Sequence, residues 1–507
     1  MSNNLFSTLS RRRSVIWGLL LLCYPLGVLL LINSSWKLRW KISLTVALVP
    51  LFLWELIILT PLRMNFGGAG PQKISFEYFD PAKHEQALLQ SSELPPTVDN
   101  NPPSDFTLVS EDDWPAFRGL FRDGIVRSSQ FAMPWDKLRG PKVHWTRPVG
   151  GGLGSFAITG DLIYTLEQRK DQEAVVCYQL RTGDLHWIHS YKAHFDELLG
   201  GPGPRTTPTI RDGRVYTIGA TGTLLCLNAL TGKEIWKRDI LKDANAPNLQ
   251  WAVSASPLIV DNLVFTVPGG EQASVLAYDR NTGKIVKKLG KASAGYSSPV
   301  VATLLGIPQL LVFDAAGLSS YQPKSGQLLW HYPWETTQNI NVAQPLVVDD
   351  EHLFISSGYG VGGALIRLTK KQTEGLENTA TESSYEPTLV WKNRRLRLKF
   401  SSAVIKDHFI YGLDENILTC LDAKTGKRQW KAGRYGYGQI VLMDSYLLIQ
   451  CENGDLAIVR ANPEEHQEID RVTALDNKTW NHPALSQGFL LIRNDRKMMC
   501  FDLRQAR

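Results

Sequence analysis

The fold class that this 507-residue sequence predicts is all-β: an eight-bladed β-propeller behind an N-terminal two-helix transmembrane hairpin. Three observations predict it. A strand–turn–strand motif recurs with Gly and Trp at fixed spacing, eight hairpins of alternating polarity precede or separate its copies, and two apolar runs of bilayer-spanning length open the chain.

Residues 1–63 are read as the membrane hairpin. Ser14–Asn33 and Ile42–Leu62 each suit a bilayer core, and the turn between them, SSWKLRWK, places Trp36 and Trp40 at an interface. No small-residue cleavage site follows the first run, which argues against a removed signal peptide. Of 55 Lys/Arg and 49 Asp/Glu, this segment holds Arg11, Arg12, Arg13, Lys37, Arg39, Lys41 and Arg63 against Glu55 alone. The whole net charge of +6 therefore lies here, and the rest of the chain is neutral. Nucleic-acid binding needs a basic face, so that class is set aside. The flanking charges balance between the two orientations of the hairpin. Glu55 inside the second run is either protonated among polar neighbours or an oligomer contact.

Residues 64–110 are read as a flexible linker. ELPPTVDNNPPSD (93–105) has no apolar period and is rich in Pro, Asn and Asp.

Residues 111–507 form the repeat domain. CYQLRTGDLHW (177–187), CLNALTGKEIW (226–236), AYDRNTGKIVK (277–287), SYQPKSGQLLW (320–330) and CLDAKTGKRQW (420–430) share one pattern, with Lys287 in place of the Trp in the third. The turn Gly supplies positive φ and the Trp is expected to pack between neighbouring units. Eight further hairpins, starting near residues 154, 206, 254, 297, 343, 401, 438 and 482, complete four strands per unit. The last unit lacks its outer strand, and VHWTRPV (143–149) has no hairpin of its own. These residues are expected to complete the eighth blade and close the ring.

Cys177, Cys226 and Cys420 occupy one repeated strand position and read as buried small hydrophobes. No Cys/His spacing matches a zinc site, the recurring TGK lacks a phosphate loop around it, and no nucleophile elbow is present. No metal ligand and no catalytic residue is therefore assigned.

One constellation stands out. Just before the Pro-equivalent position of each inner hairpin come Ser155, Thr207, Ser256, Ser298, Gln344, Ser402, Gln439 and His482, all able to hydrogen-bond. Inner strands line a propeller's channel, so these residues form a polar ring at one mouth. Arg205, Trp251, Tyr296, Lys399, Tyr437 and Trp480 stand around it. Such a mouth suits a planar anionic ligand, with Trp stacking and cations neutralising carboxylates. The candidate binding set is Arg205, Trp251, Ser256, Ser298, Gln344, Lys399, Gln439 and His482. The alternative is that these side chains serve crowded strand ends. A basic cluster, Lys392, Arg394, Arg395, Arg397 and Lys399, follows the insertion 369–387 and reads as a solvated face.

The repeated A/C-Y/L-D/N-x-x-T-G-x-x-x-W, the opening DWPAFRGLFRDG (113–124), SASPLIVDNLVFTVPGG (254–270) and KTWNHPAL (478–485) resemble the PQQ-binding-like (quinoprotein-like) β-propeller repeat family over residues 111–507. The resemblance implies a bacterial propeller outside the cytoplasm, facing the periplasm or cell exterior from the inner membrane. That family includes pyrroloquinoline-quinone dehydrogenases with a vicinal disulfide, a calcium ion and an aspartate base, and also scaffold proteins of outer-membrane assembly. This sequence has no Cys-Cys pair, and no Asp, Glu and Asn trio maps onto calcium ligands. The expected function is a membrane-anchored binding or scaffold protein with a protein or small-molecule partner at the propeller face. The alternative is a quinone-dependent alcohol or sugar dehydrogenase with a divergent site.

Overall fold

The computed structural model describes residues 20, 24–50, 62–68, 70–91, 109–128, 131–135, 140–371 and 385–504. The chain divides into two compact units, Met1–Lys83 and His84–Arg507.

In the first unit, helices Tyr24–Ile32 and Leu38–Ala47 flank a short turn. The second helix starts four residues earlier than the sequence predicts. Leu38–Lys41 contain no helix breaker, and the Trp40 N–H already donates to the Lys37 carbonyl at 2.9 Å. Among the described residues no helix is long and apolar enough to cross a membrane. About half of the two predicted spans, Glu55 included, lies outside the described residues. Within 64–110 the structure shows a hairpin, Leu62–Gly67 with Gly70–Tyr78, and a helix, Pro81–Gln90. Asp80 Oδ1 accepts from the Ala82 and Lys83 N–H groups at 3.1 and 3.2 Å, and Pro81 sits where its missing N–H loses no bond. The Pro-rich stretch 93–105 lies outside the described residues.

The second unit is an eight-bladed propeller. Blades 1 to 7 run 157–192, 209–239, 258–289, 300–333, 346–393, 404–434 and 439–473, each an antiparallel meander with its first strand innermost. Blade 8 joins the two ends of the unit. Ala484–Ser486, Phe489–Arg493 and Lys497–Asp502 are completed by Lys142–Pro148, which pairs with Lys497–Asp502. The expected ring closure by 143–149 is therefore present. A two-residue strand that the repeat pattern does not signal, Ile125–Val126, adds in parallel to the inner edge of blade 7.

Among the described residues the propeller has no single central core. Separate hydrophobic clusters fill the wedges between neighbouring blades, as where Tyr164, Val175 and Trp187 of blade 1 meet Ile210, Val215 and Leu225 of blade 2. The repeated Trp is the staple of these wedges. Trp187 Nε1 donates to the Ala229 carbonyl at 2.8 Å, and Trp236 Nε1 to the Arg280 carbonyl at 2.9 Å, each on the next blade's turn. Gly232 (φ 68°) and Gly283 (φ 67°) make both the turn and the seat. A Cβ at either would stand 2.5 or 2.8 Å from the docked indole. Where Lys287 replaces the Trp, Leu289 covers Gly326 instead and Lys287 Nζ reaches the Ser325 carbonyl at 3.2 Å.

Cys177, Cys226, Cys420 and Cys500 each face the blade's Trp across the strand pair, and with Cys451 all five are buried. Burial pushes the thiols of Cys226 up to about 11 and of Cys420 and Cys451 up to about 12. The thiolate is the reactive form. In a Cys23→Ser background, native protein is expected to leave all five thiols unalkylated by iodoacetamide at pH 8, with full reaction in denaturant. Rapid native labelling of any of them would contradict this packing.

Candidate functional site

Innermost strands present one edge of backbone groups to the channel, and those groups need partners. Part of the demand is met by the polar ring. Ser155 N–H donates to Thr207 Oγ1 at 3.0 Å, Thr207 N–H to Ser256 Oγ at 2.9 Å, and Ser256 N–H to Ser298 Oγ at 2.9 Å. Gln344 N–H donates to Ser402 Oγ at 3.0 Å, and its Nε2 to the Ser298 carbonyl at 3.2 Å. Gln439 Nε2 bridges the Phe400 and Trp480 carbonyls at 3.1 and 3.0 Å, and Ser155 Oγ donates to the His482 carbonyl. All eight ring residues are buried. The structure thus brings them together as a belt from blade to blade, with the hydroxyls and amides named above engaged along the circumference and His482 Nε2 buried without a hydrogen-bond partner among the described residues.

The channel itself is occupied by the chain. Asp113–Gly124 crosses it: Trp114 bridges Ile158 of blade 1, and the Pro115 carbonyl accepts from Ile210 N–H of blade 2 at 2.8 Å. The Gly124 carbonyl accepts from Leu442 N–H of blade 7 at 2.9 Å. Arg122 donates through Nη1 to the Pro257 carbonyl at 2.9 Å, and Arg118 through Nη2 to the Asp123 and Ala403 carbonyls at 2.8 and 2.7 Å. A guanidinium only donates, which is what inward-facing carbonyls require. Burial lowers these side chains to about 10 for Arg118 and about 9 for Arg122. His482 stacks near this plug, 5.7 Å from Phe117 and 6.3 Å from Trp114 by ring centroids. Burial, and then the charge of Arg118, lower its pKa to about 3. It is neutral, and its Nδ1 lies 2.8 Å from the Pro483 carbonyl.

The sequence reading missed the roles of Trp114, Arg118 and Arg122. The available signal was two Arg set among aromatic and Gly residues ahead of the first repeat, without a hairpin of their own.

At the mouth, Arg205 turns into its own loop. It donates to the carbonyls of Gly201 at 2.6 Å and Pro202 at 2.9 Å, and also to Gly203. Its side chain is 5% exposed, with Glu197 at 4.0 Å. Burial lowers it to about 10. That loop is joined to the blade 7–8 connection, where Lys478 Nζ donates to the Leu199 carbonyl at 2.6 Å. Lys399 sits among three rings, 4.5 Å from the centroid of Tyr359, 4.7 Å from Tyr437 and 5.1 Å from Phe400. Burial lowers its pKa, against the pull of Glu415 and Glu452. Phe400 also packs on Trp480 at 4.8 Å, while Trp251 pairs with Tyr296 at 5.7 Å. The aromatics of the predicted mouth thus fall into two packed groups.

A quinone with calcium would need free cations, several convergent oxygen ligands and a stacking platform. Glu415 already accepts from Tyr437 Oη at 3.2 Å and Glu452 from Trp480 Nε1 at 3.1 Å. Among the described residues no three His, Cys, Asp or Glu side chains converge to hold a metal ion. The ring hydroxyls and Arg205 are bound to backbone. The residues present do not fit that pair, and no step through it follows.

The model of the family described as outer membrane protein assembly factor BamB matches residues 171–432. The quinoprotein alcohol dehydrogenase PedH of Pseudomonas putida is 30% identical over 142 residues, 26% of this chain and 23% of that protein. The chain thus spans about a quarter of the dehydrogenase's length. The outer membrane protein assembly factor BamB of Moranella endobia is 24% identical over 295 residues, 55% of this chain and 67% of that one. Among solved structures, the quinohemoprotein alcohol dehydrogenase from Comamonas testosteroni matches with a TM-score of 0.54 at 12% identity, over 84% of this chain and 85% of that one. At that identity the likeness concerns the fold alone.

Proposed function

We propose that this chain, which belongs to the PQQ-like repeat family described as outer membrane protein assembly factor BamB, is a non-enzymatic scaffold of a bacterial cell envelope. Two N-terminal helices tether it to the inner membrane, and the propeller faces outward from the cytoplasm, offering a rigid surface to a protein partner. The observation that supports a scaffold is the filled channel. Arg118 and Arg122 donate to inner-strand carbonyls, and the ring side chains serve backbone groups. The chemistry left available lies on the outer faces, and fold alone implies no reaction.

Purified full-length chain titrated with pyrroloquinoline quinone and Ca²⁺ is expected to show neither saturable absorbance change nor dye reduction with primary alcohols or sugars. Saturable binding with turnover would replace the scaffold by a dehydrogenase. Cross-linking in native membranes, followed by purification, is expected to recover a stoichiometric envelope protein. Recovery of the chain alone counts against the scaffold. Protease added outside spheroplasts is expected to cleave the propeller, and protection there would reverse the orientation.

A further inference from the structure

Residues 388–435, the outer strand of blade 5 and the whole of blade 6, hold eleven Lys/Arg against four Asp/Glu, in a chain whose extramembrane part is neutral. Those four acids have local tasks. Asp414, buried, binds Arg397 at 2.7 Å and also Lys431, and Glu415 accepts from Tyr437. Asp422 Oδ1 accepts the Thr425 N–H at 2.7 Å, and Asp407 lies 3.8 Å from Lys406. Lys392 and Arg394 are exposed and have no ion pair among the described residues.

These two cations line a cavity of about 440 Å³ at the end of blade 5, together with Tyr359, Gly360, Val361 and Asn393. Its floor is ordered, since Lys392 Nζ rests 4.3 Å from the centroid of buried Trp334. Exposed apolar side chains accompany it: Tyr359 of its lining is 46% exposed, and Leu389 and Val390, earlier on the outer strand that carries Lys392, are 51% and 45% exposed. Charge together with exposed aromatic and aliphatic surface is the composition of a protein interface, where Arg and Tyr carry much of the binding energy. A free phosphate would leave these exposed apolar side chains uncovered.

We propose that this cavity docks an acidic, partly apolar segment of a partner protein. Its carboxylates meet Arg394 and Lys392, and its apolar side chains cover Tyr359, Leu389 and Val390. The docking uses side chains rather than strand addition, because Val390 is bulged out of register with Leu365 and Ile366 and interrupts the edge. The inference rests on the scaffold reading above and names its contact.

The test uses full-length chain in detergent and a fluorescein-labelled peptide of alternating Glu and Leu/Tyr, followed by anisotropy. Lys392→Glu with Arg394→Glu is expected to weaken binding about tenfold or more, as expected when buried charge pairs become like-charge contacts. An equal charge change at two exposed turn lysines, Lys233→Glu with Lys284→Glu, is expected to stay within about twofold of the parent. Equal losses in both variants would overturn the site, as would equal binding of a Lys-for-Glu peptide. Binding of phosphatidylglycerol vesicles in place of the peptide would overturn it in favour of a membrane surface. Native-membrane cross-linking of the Lys392→Glu, Arg394→Glu variant separates the two readings. A partner recovered undiminished removes this cavity and leaves the scaffold standing, whereas no partner even with the parent chain removes both.

Discussion

Trp145→Ala is expected to lower the unfolding free energy by about 3–5 kcal/mol, as for a buried Trp truncated in a packed core. Trp145 comes from the start of the propeller and is 7% exposed in blade 8, opposite Cys500 of the C-terminal strand. Its Nε1 donates to the Leu180 carbonyl of blade 1 at 2.8 Å, and its ring covers Gly183, where a Cβ would stand 2.7 Å away. The same side chain thus packs at the seam with the C-terminal strand and docks on blade 1, to which the chain already connects it through residues 149–156. Its loss loosens both the pairing of Lys142–Pro148 with Lys497–Asp502 and the packing of blade 8 on blade 1. Chemical unfolding followed by circular dichroism gives the change in midpoint. Trp145→Phe is expected to restore most of the packing and to lose about 1 kcal/mol for the missing hydrogen bond. A Trp145→Ala midpoint equal to that of the parent would show that the indole does not hold blade 8 against blade 1.

Acid is expected to destabilise the propeller through His482, by about 1.4 kcal/mol for each pH unit below 6.5. The sign follows from the lowered pKa. In the folded chain the imidazole titrates near 3, while the unfolded chain takes up the proton from 6.5 downward. Its contribution is therefore fully present above 6.5 and is lost progressively as pH falls toward 3. At pH 4.5 that is about 3 kcal/mol. The cause is local, since the ring is 4% exposed against Trp114 and Phe117, with the Arg118 cation beside it. Unfolding free energies measured between pH 7 and pH 4.5 are expected to fall less steeply in His482→Gln than in the parent chain. Parallel slopes would mean that His482 becomes protonated without cost and that the plug does not enclose it.

Blade count, strand order and ring closure were legible because each blade makes the same local demands. A Gly must turn with positive φ, and a Trp four residues later must find the neighbouring turn; both are short-range patterns repeated along the chain. Position 287 shows the limit. The pattern marks a missing Trp there, but that Leu289 takes over the seat depends on side chains converging from two blades. The ring residues, Ser155 through His482, were also visible as a set of polar types at one register. Their direction was not, because whether a hydroxyl faces the channel or the next blade depends on the twist and spacing of neighbouring sheets. Arg205 is a parallel case: a cation beside a mouth in sequence, it folds back onto carbonyls of its own Gly-Pro loop in space.

From the sequence alone came the eight-bladed propeller, the buried role of its repeated cysteines and the concentration of positive charge before residue 64. Only the tertiary structure decided that Asp113–Gly124 runs through the channel, and that Lys392 and Arg394 share a cavity with Tyr359. The physical reason is common to both. Periodic demands such as turns and alternating faces are satisfied within a blade and leave a local trace, whereas orphan carbonyls and unpaired cations acquire partners only after distant blades meet.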